Sequence, residues 1–370
     1  MSKSNPRIII SGGGTGGHIF PALSIAGALR EIEPEAEILF VGAEGRMEME
    51  RVPQAGYEIK GLPVAGLQRK LSLANFALPF KILRSILMAK RIIREFKPDV
   101  AVGVGGYASA PLLWSASGMK IPCLIQEQNS YAGLTNRILS KKADKICVAY
   151  DGMEKFFPAE KVILTGNPIR KEIKPPTEAE RREGYDFYGL NPDKKTIFVV
   201  GGSLGSGTLN KAMKKWVAEK SAKADYQVIW QNGKYYSSDI AEYMKEREQP
   251  NVKHFDFIQR MDLAYAVADV VISRAGAGTI SELCVAGKAT IFVPSPNVTE
   301  DHQTHNAMAL VEKEAALMVK DSMAEEMLMD TAEKLLADNA HIRKLEGNVL
   351  KLGRKEAADA IAKEVLSLIK

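Results

Sequence analysis

The sequence predicts an α/β protein of two facing, Rossmann-like doubly wound domains, and three observations predict it. Short β-branched runs alternate with longer helical patterns along the chain, which is the signature of parallel βαβ units. The pattern restarts near residue 196, after a polar, Pro- and Glu-rich stretch, KEIKPPTEAERREG (171–184). In both halves the first strong strand runs into a glycine-rich loop and then a helix: RIIISGGGTGGHIF at 7–20 and TIFVVGGSLGSGTLN at 196–210. Sheets of this kind bind ligands at the carboxyl ends of their strands. Two such loops therefore imply a cleft between two domains, and 370 residues suit two.

In chain order, the first-half strands are expected at 7–10, 38–42, 99–106, 121–128, 145–149 and 161–167. The second-half strands are expected at 196–202, 226–233, 269–276 and 289–296, and the Ala-, Leu-, Lys- and Glu-rich final ~45 residues read as helical.

Composition is that of a globular protein, 46% hydrophobic and 26% charged, with mean hydropathy −0.13 and pI 8.8. A net charge of +5 suits an anionic ligand or surface. No RNA- or DNA-binding motif accompanies it, so nucleic acid is not an expected partner. Cys123, Cys147 and Cys284 lie far apart in apolar runs without a CxxC pair and read as reduced core residues. The apolar run of MSKSNPRIII leads straight into the glycine loop and reads as a strand, not a signal peptide. No apolar run approaches the ~20 residues of a membrane helix. A cytoplasmic protein that still touches a membrane is the expectation.

Five glycines occupy the six positions 12–17. Gly12, Gly14 and Gly17 fit GxGxxG, with Glu44 as a candidate ribose acid, although a run this glycine-rich matches almost unavoidably. Gly201, Ser203 and Gly205 fit the esterase elbow GxSxG. The content common to both readings is backbone N–H groups and a helix N-terminus offered to an anion. Tight turns without a ligand explain one or two glycines more readily than five.

The remaining loops also leave the carboxyl ends of strands: GGYAS after 104, EQN and AGLTN at 127–136, GNPIR at 166–170, RAGAGTISE at 274–282 and HQTHNA at 302–307. With GGTGGH (13–18) and the GGS loop (201–203), their order and spacing resemble the MurG family of bacterial glycosyltransferases over essentially the whole chain. The resemblance implies the GT-B architecture. Its domains would be 1–168, rejoined by a C-terminal helix at about 350–370, for acceptor and membrane, and 169–349 for the sugar donor. It also implies transfer of N-acetylglucosamine from UDP-N-acetylglucosamine to the C4 hydroxyl of undecaprenyl-pyrophosphoryl-MurNAc-pentapeptide (lipid I to lipid II) in peptidoglycan synthesis. Leu204, where the family pattern leads one to expect glutamine, and Ser206 and Gly207 depart from it.

By that resemblance the backbone around Ile258 reads uracil and Glu282 accepts from the ribose hydroxyls, as a carboxylate can accept two hydrogen bonds. Ser203, Arg170, Ala277 and Gly278 hold the donor diphosphate, and Asn129, His302 and Gln303 meet the sugar. Thr15, Gly16 and Gly17 also approach the donor. Gly14, Thr15, Gly105, Gly106 and Tyr107 receive the acceptor's diphosphate. His18, the lone histidine of the first half, is the candidate base, with a hydrogen-bonding role as its alternative. His302 and His305 form an i,i+3 pair with no evident third ligand, and no DxD motif occurs, so no obligatory metal or other cofactor is expected.

Residues 69–97 carry eight basic residues and one acid. Ile82, Leu83, Ile86, Leu87 and Ile93 are expected on one broad helix face and Lys81, Arg84, Arg91 and Arg94 on another. Leu73, Phe76, Phe80, Lys81 and Arg84 are then candidates for bilayer contact. A core helix with a solvated basic face is the alternative. The resemblance places the protein peripherally on the cytoplasmic side of the bacterial inner membrane, with anionic lipids as partners and other cell-wall or division proteins left open. The competing functions are a UDP-sugar 2-epimerase and a UDP-sugar-binding module without turnover.

Overall fold

Ile8, Ile9 and Ile10 show how the first sheet is built. Ile8 and Ile10 join one buried cluster with Ile25, Leu29 and Phe40, while Ile9 joins another with Ile93, Leu112 and Ile125. A strand apolar on both faces belongs inside a parallel sheet covered by helices on both sides. The computed structural model bears this out for both halves of the chain, describing residues 5–64, 78–202, 204–247 and 249–369. The expectations for Leu73, Phe76 and Ser203 lie outside the described residues.

The chain divides into two compact units, Met1–Ile169 with Lys355–Lys370, and Arg170–Arg354. The first holds β1 (Arg7–Ser11), β2 (Glu37–Ala43), β3 (Glu58–Leu62), β4 (Val100–Gly103), β5 (Cys123–Glu127), β6 (Lys145–Val148) and β7 (Val162–Leu164). Their order is β3-β2-β1-β4-β5-β6-β7, parallel throughout, with Ile10 paired to Phe40 on one side and Val102 on the other. Ile361, Ala362 and Val365 of the helix Ala357–Leu366 bury against the Ile8–Ile10 cluster.

The second unit holds β8 (Thr196–Val200), β9 (Gln227–Gln231), β10 (Val252–Phe255), β11 (Val270–Ser273), β12 (Thr290–Phe292) and β13 (Leu317–Met318). They run β10-β9-β8-β11-β12-β13, again all parallel. In each sheet the order reverses beside the first strand, between β1 and β4 and between β8 and β11. That reversal opens the crevice where doubly wound sheets take ligands.

Three strands escape the sequence reading. β3 (EIKGL, with Glu58 and Lys60 exposed) and β10 (VKHF) are edge strands, and β13 has two residues. Several expected strands are also shorter. The 99–106 run stops at Gly103, because Gly105 and Gly106 take φ of +99° and +88°.

Candidate active site

The first glycine loop connects β1 to the helix Gly16–Ile32. It is packed from beneath by Glu48, the first residue of the short helix Glu48–Gln54. The Glu48 carboxylate is fully buried, and it accepts from Gly14 N–H at 2.9 Å and Ala43 N–H at 3.0 Å. A Cβ on Gly13 would lie 2.1 Å from Glu48 Oε1, so Gly13 is glycine to make room for this acid. Gly14 has φ +85°, a conformation that favours glycine.

The Gly14 N–H thus donates to a carboxylate of the chain itself. The acid reaching the loop is Glu48, whereas Glu44 is exposed and lays its Cγ over Gly61. An anionic side chain under the loop opposes the dinucleotide-cradle reading, and the glycine density comes partly from packing.

His18 stands in the first helical turn, half-buried. Its Nδ1 lies 3.0 Å from the Gly13 carbonyl and 3.4 Å from Thr15 Oγ1. A carbonyl only accepts, so neutral His18 carries its proton on Nδ1 and its lone pair on Nε2. Gly105 abuts the ring, where a Cβ would sit 2.8 Å from Nε2, and a Cβ on Gly106 would collide with Gly13 O at 2.3 Å. The loops after β1 and β4 are thus brought together around the imidazole. Tyr107 is exposed beside them. The helix start at Thr15, Gly16 and Gly17 has no side-chain cap and no acid in its first turn.

Asn129 follows β5, with its backbone N–H and side-chain amide held 3.0 and 3.2 Å from Glu127 Oε1. Glu127 also accepts from Gly133 N–H and Asn136 Nδ2. Burial pushes its pKa up against the opposing pull of these donors. Beneath it, Gln126 donates to Asn167 (2.8 Å), Asn167 to Gln128 O (2.9 Å) and Gln128 to Val104 O (2.6 Å). This amide chain ties the loops after β4, β5 and β7. Sequence reasoning missed it, although the amide-rich QEQN run was its signal.

In the second unit, Arg170 and Glu282 meet each other. Arg170 Nε and Nη2 donate to the two Glu282 oxygens at 2.7 and 2.9 Å, and Tyr265 OH donates to Oε2 at 3.2 Å. Burial would lower the Arg170 pKa, but the hydrogen bonds and charge of Glu282 outweigh it and hold it above its ordinary value. Glu282 is buried in the helix Ala277–Ala286. That helix starts at Gly276, Ala277 and Gly278 without a side-chain cap or an acid in its first turn. Open space lies where a Gly278 Cβ would go.

Gln231, missed by sequence reasoning, joins the loops after β8 and β10. It accepts from Gly201 N–H (3.0 Å) and donates to Gly202 O (2.9 Å) and Asp256 O (3.0 Å). Ile258 is buried just beyond. His302 and Gln303 open the helix His302–Val311, where Gln303 accepts from Ser295 N–H at 2.8 Å. Among the described residues there is no group of three or more His, Cys, Asp or Glu able to hold a metal ion. Leu204 is 73% exposed.

On the helix Leu78–Phe96 the two-faced expectation is corrected. Ile93 is buried in the core with Ile92 and Ala89, while Phe80, Ile82, Leu83 and Leu87 are exposed. Lys81, Arg84, Arg91 and Arg94 are exposed as well. Apolar groups and cations therefore share the solvent side, since the core takes the third stripe. Trp114 is exposed on the helix Ser109–Gly118 packed beside it, and Leu134 and Ile138 on the helix Leu134–Leu139 that packs on that one. Among the described residues no helix is long and apolar enough to cross a membrane.

Known proteins agree with this division. Residues 8–148 match the glycosyltransferase family 28 N-terminal domain and residues 196–363 the C-terminal domain of the same family. A Parabacteroides distasonis protein named UDP-N-acetylglucosamine--N-acetylmuramyl-(pentapeptide) pyrophosphoryl-undecaprenol N-acetylglucosamine transferase is 54% identical, covering 98% of each chain. A Cytophaga hutchinsonii protein of the same name is 52% identical over 100% of this chain and 99% of its own. The crystal structure of Acinetobacter baumannii MurG superposes with a TM-score of 0.80 at 28% identity, covering 98% of this chain and 99% of that one. With two matched domains and relatives more than half identical over nearly its full length, the chain belongs to glycosyltransferase family 28.

Proposed function

We propose that this chain is the inverting transferase that moves N-acetylglucosamine from UDP-N-acetylglucosamine to the C4 hydroxyl of the MurNAc residue of lipid I, making lipid II. The names of its relatives supply the substrates, and the geometry supports a division of labour. The observation that carries it is the contrast between the two loop–helix junctions. Both helix starts are uncapped, but in the first Glu48 holds Gly14 N–H and sets a carboxylate against the loop, whereas the start of the Ala277–Ala286 helix has room at Gly278. An anionic nucleotide diphosphate favours the second. Glu282, beside it, takes the ribose hydroxyls, and Arg170 exchanges part of its grip on that carboxylate for the leaving phosphate.

In the first unit His18 Nε2 takes the proton of the attacking hydroxyl. The oxygen bonds to the anomeric carbon, the bond to the diphosphate breaks, and UDP leaves with the electron pair, so α becomes β. The diphosphate charge is met by Arg170 and the helix start, and no metal is assigned a step. The acceptor's diphosphate meets Thr15, with Gly105, Gly106 and Tyr107 alongside. The exposed face of Leu78–Phe96 rests on anionic lipid at the cytoplasmic side of the membrane that carries the acceptor.

The test measures UDP release with and without a lipid I analogue. Release only with the acceptor, with a new disaccharide product, is expected. C2 epimerisation without acceptor, or UDP-sugar binding without turnover, would overturn the proposal.

A further inference from the structure

We propose that Glu48 is a positioning residue for His18, acting through the peptide group between Gly13 and Gly14. This rests on the reading of His18 as the base. The N–H of that peptide donates to Glu48 Oε2 at 2.9 Å, and the C=O of the same peptide accepts from His18 Nδ1 at 3.0 Å. A trans peptide is planar, with its N–H and C=O directed oppositely. The acid on one side and the imidazole on the other are thus joined through one rigid group: carboxylate, N–H, C=O, Nδ1–H.

Burying a carboxylate is costly, and an apolar side chain of similar volume would fill the space without that cost. Glu48 is nonetheless fully buried. Its place as the first residue of the Glu48–Gln54 helix offsets part of its charge. The Ala43 N–H at 3.0 Å anchors its other oxygen to the end of β2, so the acid is held by the sheet and in turn holds the loop. Packing around it is intolerant: a Cβ would come within 2.1 Å of Glu48 at Gly13 and 2.6 Å at Gly42.

Two consequences follow for the imidazole. The oriented carbonyl keeps the proton of neutral His18 on Nδ1, leaving Nε2 as the basic nitrogen. Hydrogen-bonded chains also polarise one another, so the carboxylate makes the Gly13 oxygen a stronger acceptor for the imidazolium formed during transfer. The arrangement follows the logic of base plus orienting acid, with a peptide group interposed.

Glu48→Gln removes the charge and turns an amide N–H₂ toward one of two N–H donors. Expected is a roughly 10- to 100-fold fall in kcat for transfer to a lipid I analogue, with the KM for UDP-N-acetylglucosamine and the UDP affinity within about twofold of wild type. Nitrogen-15 NMR of His18 should report the Nδ1–H tautomer in the wild-type protein and a mixture in the variant. In a double-mutant cycle, Glu48→Gln should cost little in a His18→Ala background. Wild-type kcat in Glu48→Gln, an unchanged tautomer, or an equal further loss on top of His18→Ala would each overturn the proposal. If Glu48→Gln does not fold, Glu48→Asp keeps the charge with a shorter reach and faces the same criteria. Wild-type turnover of His18→Ala itself would instead remove the base reading, so the two failures are told apart.

Discussion

Each unit sets a glycine-containing turn between an inner strand and a helix, after β1 in the first and after β11 in the second, and the two turns are filled differently. In the first, a buried acid fills the hollow under the turn and binds its N–H. In the second, the carboxylate of Glu282 on the helix is held by an arginine and a tyrosine, while both helix starts are uncapped. Gly13 makes room for the protein's own side chain, whereas at Gly278 no atom lies within 4 Å of the absent Cβ. Glycine count alone does not distinguish an anion cradle from a close-packed turn; what lies within 3 Å of the absent Cβ does.

The largest expected effect separates chemistry from nucleotide binding. His18→Ala should lower kcat by about 10²- to 10⁴-fold, the usual contribution of a general base, while UDP titration calorimetry shows an unchanged affinity. A matching loss of UDP affinity would merge the two roles that the contrast keeps apart. Next comes Gly13→Ala, whose Cβ must displace a buried carboxylate. About 3 kcal/mol of stability should be lost in urea unfolding, from overpacking and the disturbed acid. Near-wild-type stability would mean that Glu48 moves aside cheaply.

The second unit buries a charge of the other sign, less well served. Lys288 is buried, with its Nζ donating to Ala268 O at 2.9 Å. Burial lowers its pKa to about 8, against the raising influence of Glu346. Between pH 8 and the unfolded value of 10.5 the unfolded chain binds the extra proton, so stability rises with pH across that window. The destabilisation is complete below pH 8, and its relief by pH 10.5 amounts to about 3 kcal/mol. Lys288→Met should lack this rise when its unfolding curves are subtracted from those of wild type. Equal slopes would show a lysine that is already solvated.

Much of the fold was legible because β1 and β8 are unbroken apolar runs, buried on both faces and followed by glycine turns. Edge strands β3 and β10 were not, since each is only four or five residues long and mixes charged with apolar residues. Site contacts were less legible still. Glu48 reaches Gly14 across 34 residues and Arg170 reaches Glu282 across 112, and no local pattern records such a meeting. The sequence placed both members of the second pair in the site but gave them separate tasks. It passed over Glu48 because an acid in a short helix looks like ordinary surface. Ile93 was assigned to the wrong stripe because spacing alone does not say which of two apolar stripes the core will take.

Gly278→Ala sharpens the contrast from the other side. With open space at its Cβ and a helical backbone, alanine should leave the melting temperature unchanged or slightly higher. UDP affinity should nevertheless fall roughly tenfold, about 1.4 kcal/mol, if a phosphate lies against that backbone. Unaltered affinity would show that the diphosphate sits elsewhere.

The smallest effect concerns where each unit meets its surroundings. In the first unit four large apolar side chains, Phe80, Ile82, Leu83 and Leu87, are exposed on one helix among Lys81, Arg84 and Arg91. The second unit's exposed apolar groups, such as Phe187, Leu204, Tyr235 and Phe257, are spread over separate elements. Arg84→Ala should weaken sedimentation with phosphatidylglycerol-containing vesicles by about 1 kcal/mol, roughly fivefold. Lys211→Ala, an exposed cation of the second unit, should change it little. The difference should shrink in high salt, because the headgroup attraction decays within a Debye length, while the apolar contribution of Phe80 and Leu83 persists. Equal responses from Arg84 and Lys211 would reduce the attraction to net charge and remove any distinction between the two surfaces.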